Sequence, residues 1–299
     1  MSNPELKQNL PESQPVHPEK PVEKLKGALV LMSKKINAQV LEKYALKNLL
    51  NFDGSIYQMD YRQLHGDEKI LTDLAEIKKR ELSFSSADDP QILKSLNLTA
   101  EQRVDQWKRN KQESISGQME MAMTILLHKF LKDKFLVVRT TNIDDYNGVD
   151  NLVIDLESGA VVGAFDDVNQ DVDGKRLADK IKKIREKAVH GGARIDYGLS
   201  LEQGLLKRSK LENLPVFYLG LLQSELEKLL NEMNYDPEGQ ITAIEQKIYL
   251  KLIESLEVQQ KELVALKNLK PELKQKLEAF VSTLNILKQL GQVSQQVTE

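Results

Sequence analysis

The residues of this chain whose types and spacing suit chemistry are the aspartates between positions 144 and 173. In GVDNLVID, Asp150 follows a glycine that permits a sharp turn and precedes an apolar run. In AVVGAFDDVN, Asp166 and Asp167 stand at the end of a second apolar run. A tight hairpin through ESGA would pair the two runs as strands. We therefore expect the three carboxylates to meet at adjacent strand ends and to point into one shallow site.

Clustered carboxylates of this kind predict a bound divalent cation. Like charges within a few ångströms repel, so that either one carboxylate takes a proton or a cation lies between them. Mg²⁺ prefers oxygen ligands and keeps several waters, so Asp150 with Asp166 and Asp167 would suffice as metal ligands. Such a metal polarises a phosphoryl oxygen and supplies hydroxide. Glu120, on the preceding helix, is the candidate third acid.

The pattern of apolar and β-branched residues around these acids predicts an α/β core. The predicted order is a helix, a three-strand meander, a helix and a further strand, with extensive α-helical additions at both ends. The predicted core helices are 114–132 and 174–189, the strands are 135–140, 149–156, 160–166, 193–199 and 216–222, and a short basic helical stretch separates the last two strands.

Over residues 114–222, this order and its acids resemble the PD-(D/E)XK nuclease superfamily. Glu120 matches the helix acid, Asp150 matches the first strand acid, and Asp166 or Asp167 matches the second acid. The resemblance implies a Mg²⁺ site that cuts phosphodiester bonds, with nucleic acid as the partner.

The sequence departs from the superfamily pattern at the motif lysine. That lysine follows the second acid by two residues, where this chain has Asn169. Asparagine supplies no positive charge to a developing phosphorane. Lys175 or Lys180, on the following helix, is the candidate for a displaced lysine, and the resemblance leaves both an active nuclease and an inactive relative open.

Two other interpretations of the acids stay open. Asn169, Asp171, Asp173 and Gly174 fall at positions one, three, five and six of a calcium-loop pattern, although Lys180 stands where a bidentate Glu is needed. Alternatively, the acids only form turns, because Asp and Asn satisfy local backbone groups at strand ends. In that case the chain is a non-catalytic helical interaction or scaffold protein.

Composition excludes several classes of function. The formal net charge is −3, and there is no cysteine for a disulfide or a thiolate site. Neither a signal peptide nor an apolar run long enough for a bilayer is present, so we expect no membrane partner and a cytoplasmic location. No P-loop or nucleophile-elbow motif occurs either.

The chain divides by pattern into four parts. These are a disordered tail over 1–22, a helical region over 23–112, the nuclease-like α/β core over 113–222 and a helical hairpin region over 223–299. In the second part we predict a first helix over 22–51, a loop over 83–90 and a helix N-cap at Thr99. In the last part, an apolar stripe could pack internally or on a protein partner or second copy; it comprises Ile241, Ile244, Ile248, Leu252 and Leu256.

Overall fold

The computed structural model of the chain describes residues 20–87, 98–170 and 174–293. None of the helices in these ranges has the length and apolar character that crossing a membrane requires. Most of the predicted tail over 1–22 lies outside the described residues. Its last residues begin the first helix, in which Pro21 takes an N-terminal position and Val22 is buried.

The first helix, α1 (Pro21–Tyr44), is shorter than the predicted 22–51. Ala45 adopts the left-handed conformation, with φ of 54°, and its N–H donates to the Leu41 carbonyl. The apolar stripe of the helix also ends at Tyr44, since the chain then turns into an extended segment with an isolated bridge between Leu50 and Ile56. Backbone conformation at Ala45, rather than the glycine at position 54, therefore ends the helix.

Helices α2 (Asp67–Ala87) and α3 (Ala100–Glu113) follow. The prediction of a loop over 83–90 is wrong for its first part, because α2 continues to Ala87, and residues 88–97 lie outside the described ranges. The N-cap predicted at Thr99 is confirmed. Its hydroxyl accepts from the Gln102 N–H at 3.2 Å, and its own N–H donates to the Gln102 side chain at 2.8 Å.

The middle of the chain forms a small mixed sheet between helices. The strand order is β1-β2-β3-β6, in which β1, β2 and β3 are antiparallel neighbours and β6 runs parallel to β3. The elements of this part are α4 (Ile115–Leu131), β1 (Phe135–Arg139), β2 (Asn151–Asp155), β3 (Val161–Gln170), α5 (Lys175–Val189), β4 (Ala193–Glu202), β5 (Leu205–Leu214) and β6 (Val216–Leu222).

The stretch between β4 and β6 differs from the prediction. Instead of a short basic helix, the chain forms β5, which pairs with β4 as a separate two-stranded sheet. Gln203 and Gly204 both have positive φ, at 53° and 77°, and make the two-residue turn of a hairpin. The prediction failed because the charged residues of LLKRSKLENL hide an alternation that only the pairing with β4 makes clear.

Helices α4 and α5 cover opposite faces of the four-stranded sheet. On one face, the Thr124 hydroxyl of α4 donates to the side chain of Asn151 in β2 at 2.8 Å. On the other face, Lys180 of α5 contacts Asp166 of β3. Because side chains alternate along β3, Asp166 and Asp167 point to different faces. Each face of the sheet thus presents acids to a different helix.

The C-terminal part contains α6 (Gln223–Glu232), α7 (Ala243–Val264) and α8 (Pro271–Val293). Helices α7 and α8 are antiparallel, since Gln246 donates to the Gly291 carbonyl and Gln260 donates to the Leu277 carbonyl. The apolar stripe of α7 is buried inside the chain, with 1–6% exposure from Ile244 to Leu256. From Ile244 to Leu256 the stripe is therefore an internal packing face, whereas Ile241, which precedes α7, is only partly buried.

A buried ion pair joins the C-terminal part to the core. Lys129 of α4 and Glu245 of α7 are in contact at 2.7 Å, with side chains 1% and 0% exposed. The Lys129 ammonium also donates to the carbonyl oxygens of Asn234 and Gln240. Because these bonds satisfy most of the ammonium protons, the charge is tolerated in an interior where unpaired charges are costly.

Removing the charge of Glu245 should therefore destabilise the fold. Glu245→Gln keeps an oxygen that can cap Thr242 but leaves Lys129 without its counter-charge, and we expect the free energy of unfolding to fall by about 3 kcal/mol. Urea denaturation measures this change. Glu257→Gln, in the more exposed pair with Lys288, is the matched control and should cost less than about 1 kcal/mol. Equal losses in the two variants would contradict a special role for the buried pair.

Candidate functional site

The acids singled out in the sequence line one cavity of about 750 Å³. Lys175, which is exposed at the start of α5, is not among its lining residues. The structure thus brings together five of the six candidate residues, namely Glu120, Asp150, Asp166, Asp167 and Lys180.

The cavity forms where the pairing between β2 and β3 ends. Strand β2 begins at Asn151, opposite Phe165, whereas β3 continues to Gln170 beside β6. Asp150 lies directly before β2 and still donates its N–H to the Phe165 carbonyl at 2.8 Å. Its carboxylate accepts from the N–H of Asp167 at 2.6 Å. The Asp150 carboxylate therefore accepts the hydrogen bond that the backbone of a longer β2 would accept, and the cavity opens beside it.

Asp167 is the least satisfied acid of the cavity. One carboxylate oxygen, Oδ2, accepts from the Asn151 amide at 3.0 Å. The other, Oδ1, is buried and has no hydrogen-bond partner among the described residues. A buried carboxylate oxygen without a partner is costly, and a cation is one of the few groups that would relieve that cost. The unpartnered Oδ1 of Asp167 is therefore consistent with a cation-binding role.

Repulsion between the acids shows in their proton affinities. Burial raises the pKa of Asp150 well above its usual range, and the negative charge of Asp167 raises it further. Burial likewise raises the pKa of Asp167, with additional contributions from Glu120 and Asp166. The pKa of Glu120 is raised by burial, which outweighs the opposing charges of two nearby cations. The cavity therefore stabilises added positive charge, whether from protons or from a metal ion.

Asp166 already has a cation. Its Oδ1 accepts from the Lys180 ammonium at 2.5 Å. Of the two adjacent aspartates, Asp166 is thus engaged by the protein, and Asp167 retains a free oxygen. The structure in this way distinguishes two residues that the sequence could not separate.

Lys187 is a cavity residue that the sequence analysis missed. Its ammonium donates to the carbonyl oxygens of Asn147 and Gly148, and burial lowers its pKa. A Cβ at position 148 would lie 2.9 Å from this ammonium and 3.1 Å from Oδ2 of Asp166, so the site requires glycine there. Lys187 stands seven residues after Lys180, two helical turns along the same face. This spacing was the signal that could have revealed it.

Two further cations approach the acids from the side of α4. Arg139, at the end of β1, contacts Glu120 at 3.2 Å, and Lys111 contacts Asp145 at 3.3 Å. Neither cation was predicted, because β1 and α3 are distant from the acids in sequence. Together with Lys180 they leave Asp150 and Asp167, with the exposed Glu186 of α5, as the cavity acids that lack an ion-pair partner among the described residues.

The calcium-loop interpretation receives no test at its centre, because residues 171–173 lie outside the described ranges. Its first position, Asn169, lies within β3, where it is the register partner of Leu221. Its Oδ1 is buried and without a hydrogen-bond partner in the described part of the chain. Gly174 has positive φ of 67° and precedes α5 directly.

No group of three or more His, Cys, Asp or Glu side chains in the described ranges is arranged as a ready metal site. Mg²⁺ does not need one, since it is usually held by one or two carboxylates with waters and substrate phosphates. The arrangement of Asp150 and Asp167 falls within that requirement.

These pKa shifts predict a pH-dependent stability in metal-free buffer. A raised pKa means that the folded chain binds protons more tightly than the unfolded chain, in which Asp titrates near about 4. The stabilisation is present below that pH and is lost as the pH rises through the folded-state pKa. Asp167→Asn keeps the bond to Asn151 and removes one charge, so we expect it to be more stable than wild type at pH 7 by on the order of 1 kcal/mol.

Chemical denaturation from pH 4 to pH 8 tests this expectation, and the advantage of Asp167→Asn should shrink as the pH falls. Asp179→Asn, which removes an exposed carboxylate of α5, is the control and should show no such trend. An advantage that is constant with pH would mean that repulsion between the acids is not its cause.

Comparison with known proteins adds no template for this site. No family model matches the chain, and no curated protein and no solved structure is significantly similar to it. Functional inference therefore rests on the fold and on the side chains that meet in the cavity.

Proposed function

We propose that the chain is a Mg²⁺-dependent phosphodiester hydrolase acting on nucleic acid, built on a core of the PD-(D/E)XK type. The order of elements supports the proposal: α4, the meander of β1 to β3, α5 on the opposite face, and β6 beside β3. In this interpretation the hairpin of β4 and β5 is an insertion between the second core helix and the last core strand.

The observation that carries the proposal is the incomplete satisfaction of Asp167, which lies beside Asp150 in one cavity. Asp150 and Asp167 are joined through a backbone hydrogen bond, and both have raised pKa values. Oδ1 of Asp167 is buried without a partner. Asp150 does accept a backbone N–H, but a turn-forming aspartate at position 167 would satisfy a local backbone group as well, and Asp167 does not. A cation that binds oxygen explains this arrangement better.

In the proposed site, Asp150 and Asp167 hold the metal. Asp166 is left to its ion pair with Lys180, and Glu120 adds negative charge from α4 without being a required ligand. When bound, Mg²⁺ would polarise a phosphoryl oxygen and lower the pKa of a water molecule. The remaining part of the coordination sphere is available to waters and to the substrate.

We assign the role of the motif lysine to Lys180, because Asn169 has no positive charge. Its ammonium is fixed by Asp166, the residue next to the proposed ligand Asp167. A positive charge held there favours the charge that accumulates on a phosphoryl group during its transfer. Lys175, the other candidate for a displaced lysine, is exposed and outside the cavity lining.

Substitution of the two lysines tests this assignment. We expect Lys180→Met to reduce Mg²⁺-dependent cleavage of a fluorescent oligonucleotide by about 100-fold, because it removes the fixed positive charge. Lys175→Met, on the same helix, should retain activity within about twofold of wild type. The opposite result would assign the displaced lysine to position 175.

The metal assignment is tested by thermal melting with and without Mg²⁺. Mg²⁺ should raise the melting temperature of wild type and of Lys175→Met, since it binds the folded state, but not that of Asp167→Asn. If wild type neither melts later with Mg²⁺ nor cleaves any oligonucleotide, the nuclease proposal fails. The chain would then be the non-catalytic interaction protein.

A further inference from the structure

We infer that the substrate is an unpaired nucleic-acid strand, held between a lysine face of α5 and an aromatic wall on the opposite side of the acids. The lysine face comprises Lys180, Lys183 and Lys187, and the aromatic wall comprises Phe52, Trp107 and Tyr146. The inference rests on the proposed function to the extent that the strand crosses the same cavity.

The lysine face provides the contacts for phosphates. All three lysines line the acid cavity, at spacings of three and four residues that place them on one side of α5. Lys180 and Lys187 are engaged by Asp166 and by backbone carbonyls. Lys183 is exposed and forms no ion pair with any described residue. It is therefore a cation free to meet an incoming phosphate.

The aromatic wall belongs to a second cavity of about 390 Å³ that adjoins the first. The two cavities share Glu120, Asp145 and Tyr146, so the acids form the boundary between them. Trp107 and Phe52 line the second cavity only. A ligand that follows both cavities passes from lysines, over carboxylates, to aromatic rings.

The rings of this wall are placed where bases could stack. Phe52 is 67% exposed at the edge of the second cavity, so its ring is open to a stacking base. Trp107 is already stacked on Phe84, with ring centroids 5.6 Å apart and an angle of 20° between the planes. Phe84 also contacts Tyr146 at 5.9 Å. Through Phe84, these contacts hold the rings of Trp107 and Tyr146 in position beside the acids.

The two adjoining cavities form a groove, and the acids lie at its floor. This position favours an unpaired strand. Glu120 and Asp150 are each 8% exposed, and Asp166 is 4% exposed. A duplex is stiff, so its phosphates do not bend readily into a recess. A single strand is flexible, and the faces of its bases are free to stack on aromatic side chains, which a paired and stacked duplex does not allow.

The charge of the floor does not repel such a strand as strongly as its five acids alone would. Arg139 neutralises Glu120, Lys111 neutralises Asp145, and Lys180 neutralises Asp166. Among these five acids, the excess negative charge is confined to Asp150 and Asp167, where the proposed metal binds. Glu186, the sixth acid of the lining, is exposed on α5 between Lys183 and Lys187. Phosphates can thus approach from the lysine face, while bases reach the aromatic wall.

Fluorescence anisotropy with the full chain tests the inference. The probes are a labelled oligothymidine and a labelled hairpin duplex of equal length, in Ca²⁺ in place of Mg²⁺ to separate binding from cleavage. We expect the single strand to bind at least about tenfold more tightly than the duplex, since only the unpaired bases can stack on the aromatic wall.

Two variants test the walls separately. Phe52→Ala should weaken single-strand binding by about tenfold through the loss of one stacked base. Lys183→Ala should weaken single-strand binding severalfold. It should also reduce the slope of log K against log salt concentration by the amount expected for about one phosphate contact. The controls are Leu71→Ala, a 61% exposed apolar residue of α2 outside both cavities, and Lys182→Ala, the exposed neighbour outside the acid cavity. Both should bind as wild type does, and melting temperatures should confirm that all four variants fold.

Equal binding of duplex and single strand, or no effect of Phe52→Ala, would overturn the inference. If Mg²⁺-dependent cleavage persists in that case, the proposed function stands with a different substrate. Conversely, preferential single-strand binding that depends on Phe52 and Lys183, without cleavage, would support the groove while the hydrolase proposal fails. The two claims are thus separable in one set of experiments.

Discussion

Burial of like-charged carboxylates at the point where β2 ends beside β3 is the constraint on which the site depends. Five acids meet there, namely Glu120, Asp145, Asp150, Asp166 and Asp167, and the fold compensates three of them with cations from α5, β1 and α3. Asp150 is satisfied in a different way, since it accepts the backbone N–H that a longer β2 would have bonded. Asp167 remains with an unpartnered buried oxygen. Because the repulsion is only partly relieved, the cavity retains an affinity for one more positive charge.

The sheet places Asp150, Asp166 and Asp167, whereas the helices place Glu120 and the lysines. Helix α4 brings Glu120 and also carries Lys129, whose buried pair with Glu245 ties α4 to the C-terminal hairpin. Helix α5 brings Lys180 and Lys187, and it packs against β3 and β6 from the opposite face. Helices that look remote from the chemistry in sequence thus fix the distances between the charges. The C-terminal hairpin acts on the site through α4, although it contributes no side chain to it.

Local patterns were sufficient for much of this fold and for the position of the acids. The β-branched and aromatic content of FLVVR and VVGAFDDV, and the capping pair of Thr99 and Gln102, operate within a few residues, and the structure contains the corresponding elements. Strand β5 was mistaken for a basic helix because its identity depends on pairing with β4. The roles of Asp166 and Asp167 could not be separated either, since strand alternation assigns them to opposite faces but only the helix packing decides which face holds the lysines. Arg139 and Lys111 were missed for the same reason: their charges meet the acids only in three dimensions.

Under the proposed function, the asparagine at position 169 means that the positive charge of the site comes from an element other than β3. A lysine at that position would share a face with Asp167, because residues two apart on a strand point the same way. Instead, the cations come from α5 and approach Asp166 on the opposite face. The face of β3 that carries Asp167 and Asn169 is consequently left with two buried side-chain oxygens that have no partner in the described part of the chain. With asparagine at that position, a proton or a bound cation remains as the means of neutralising Asp167.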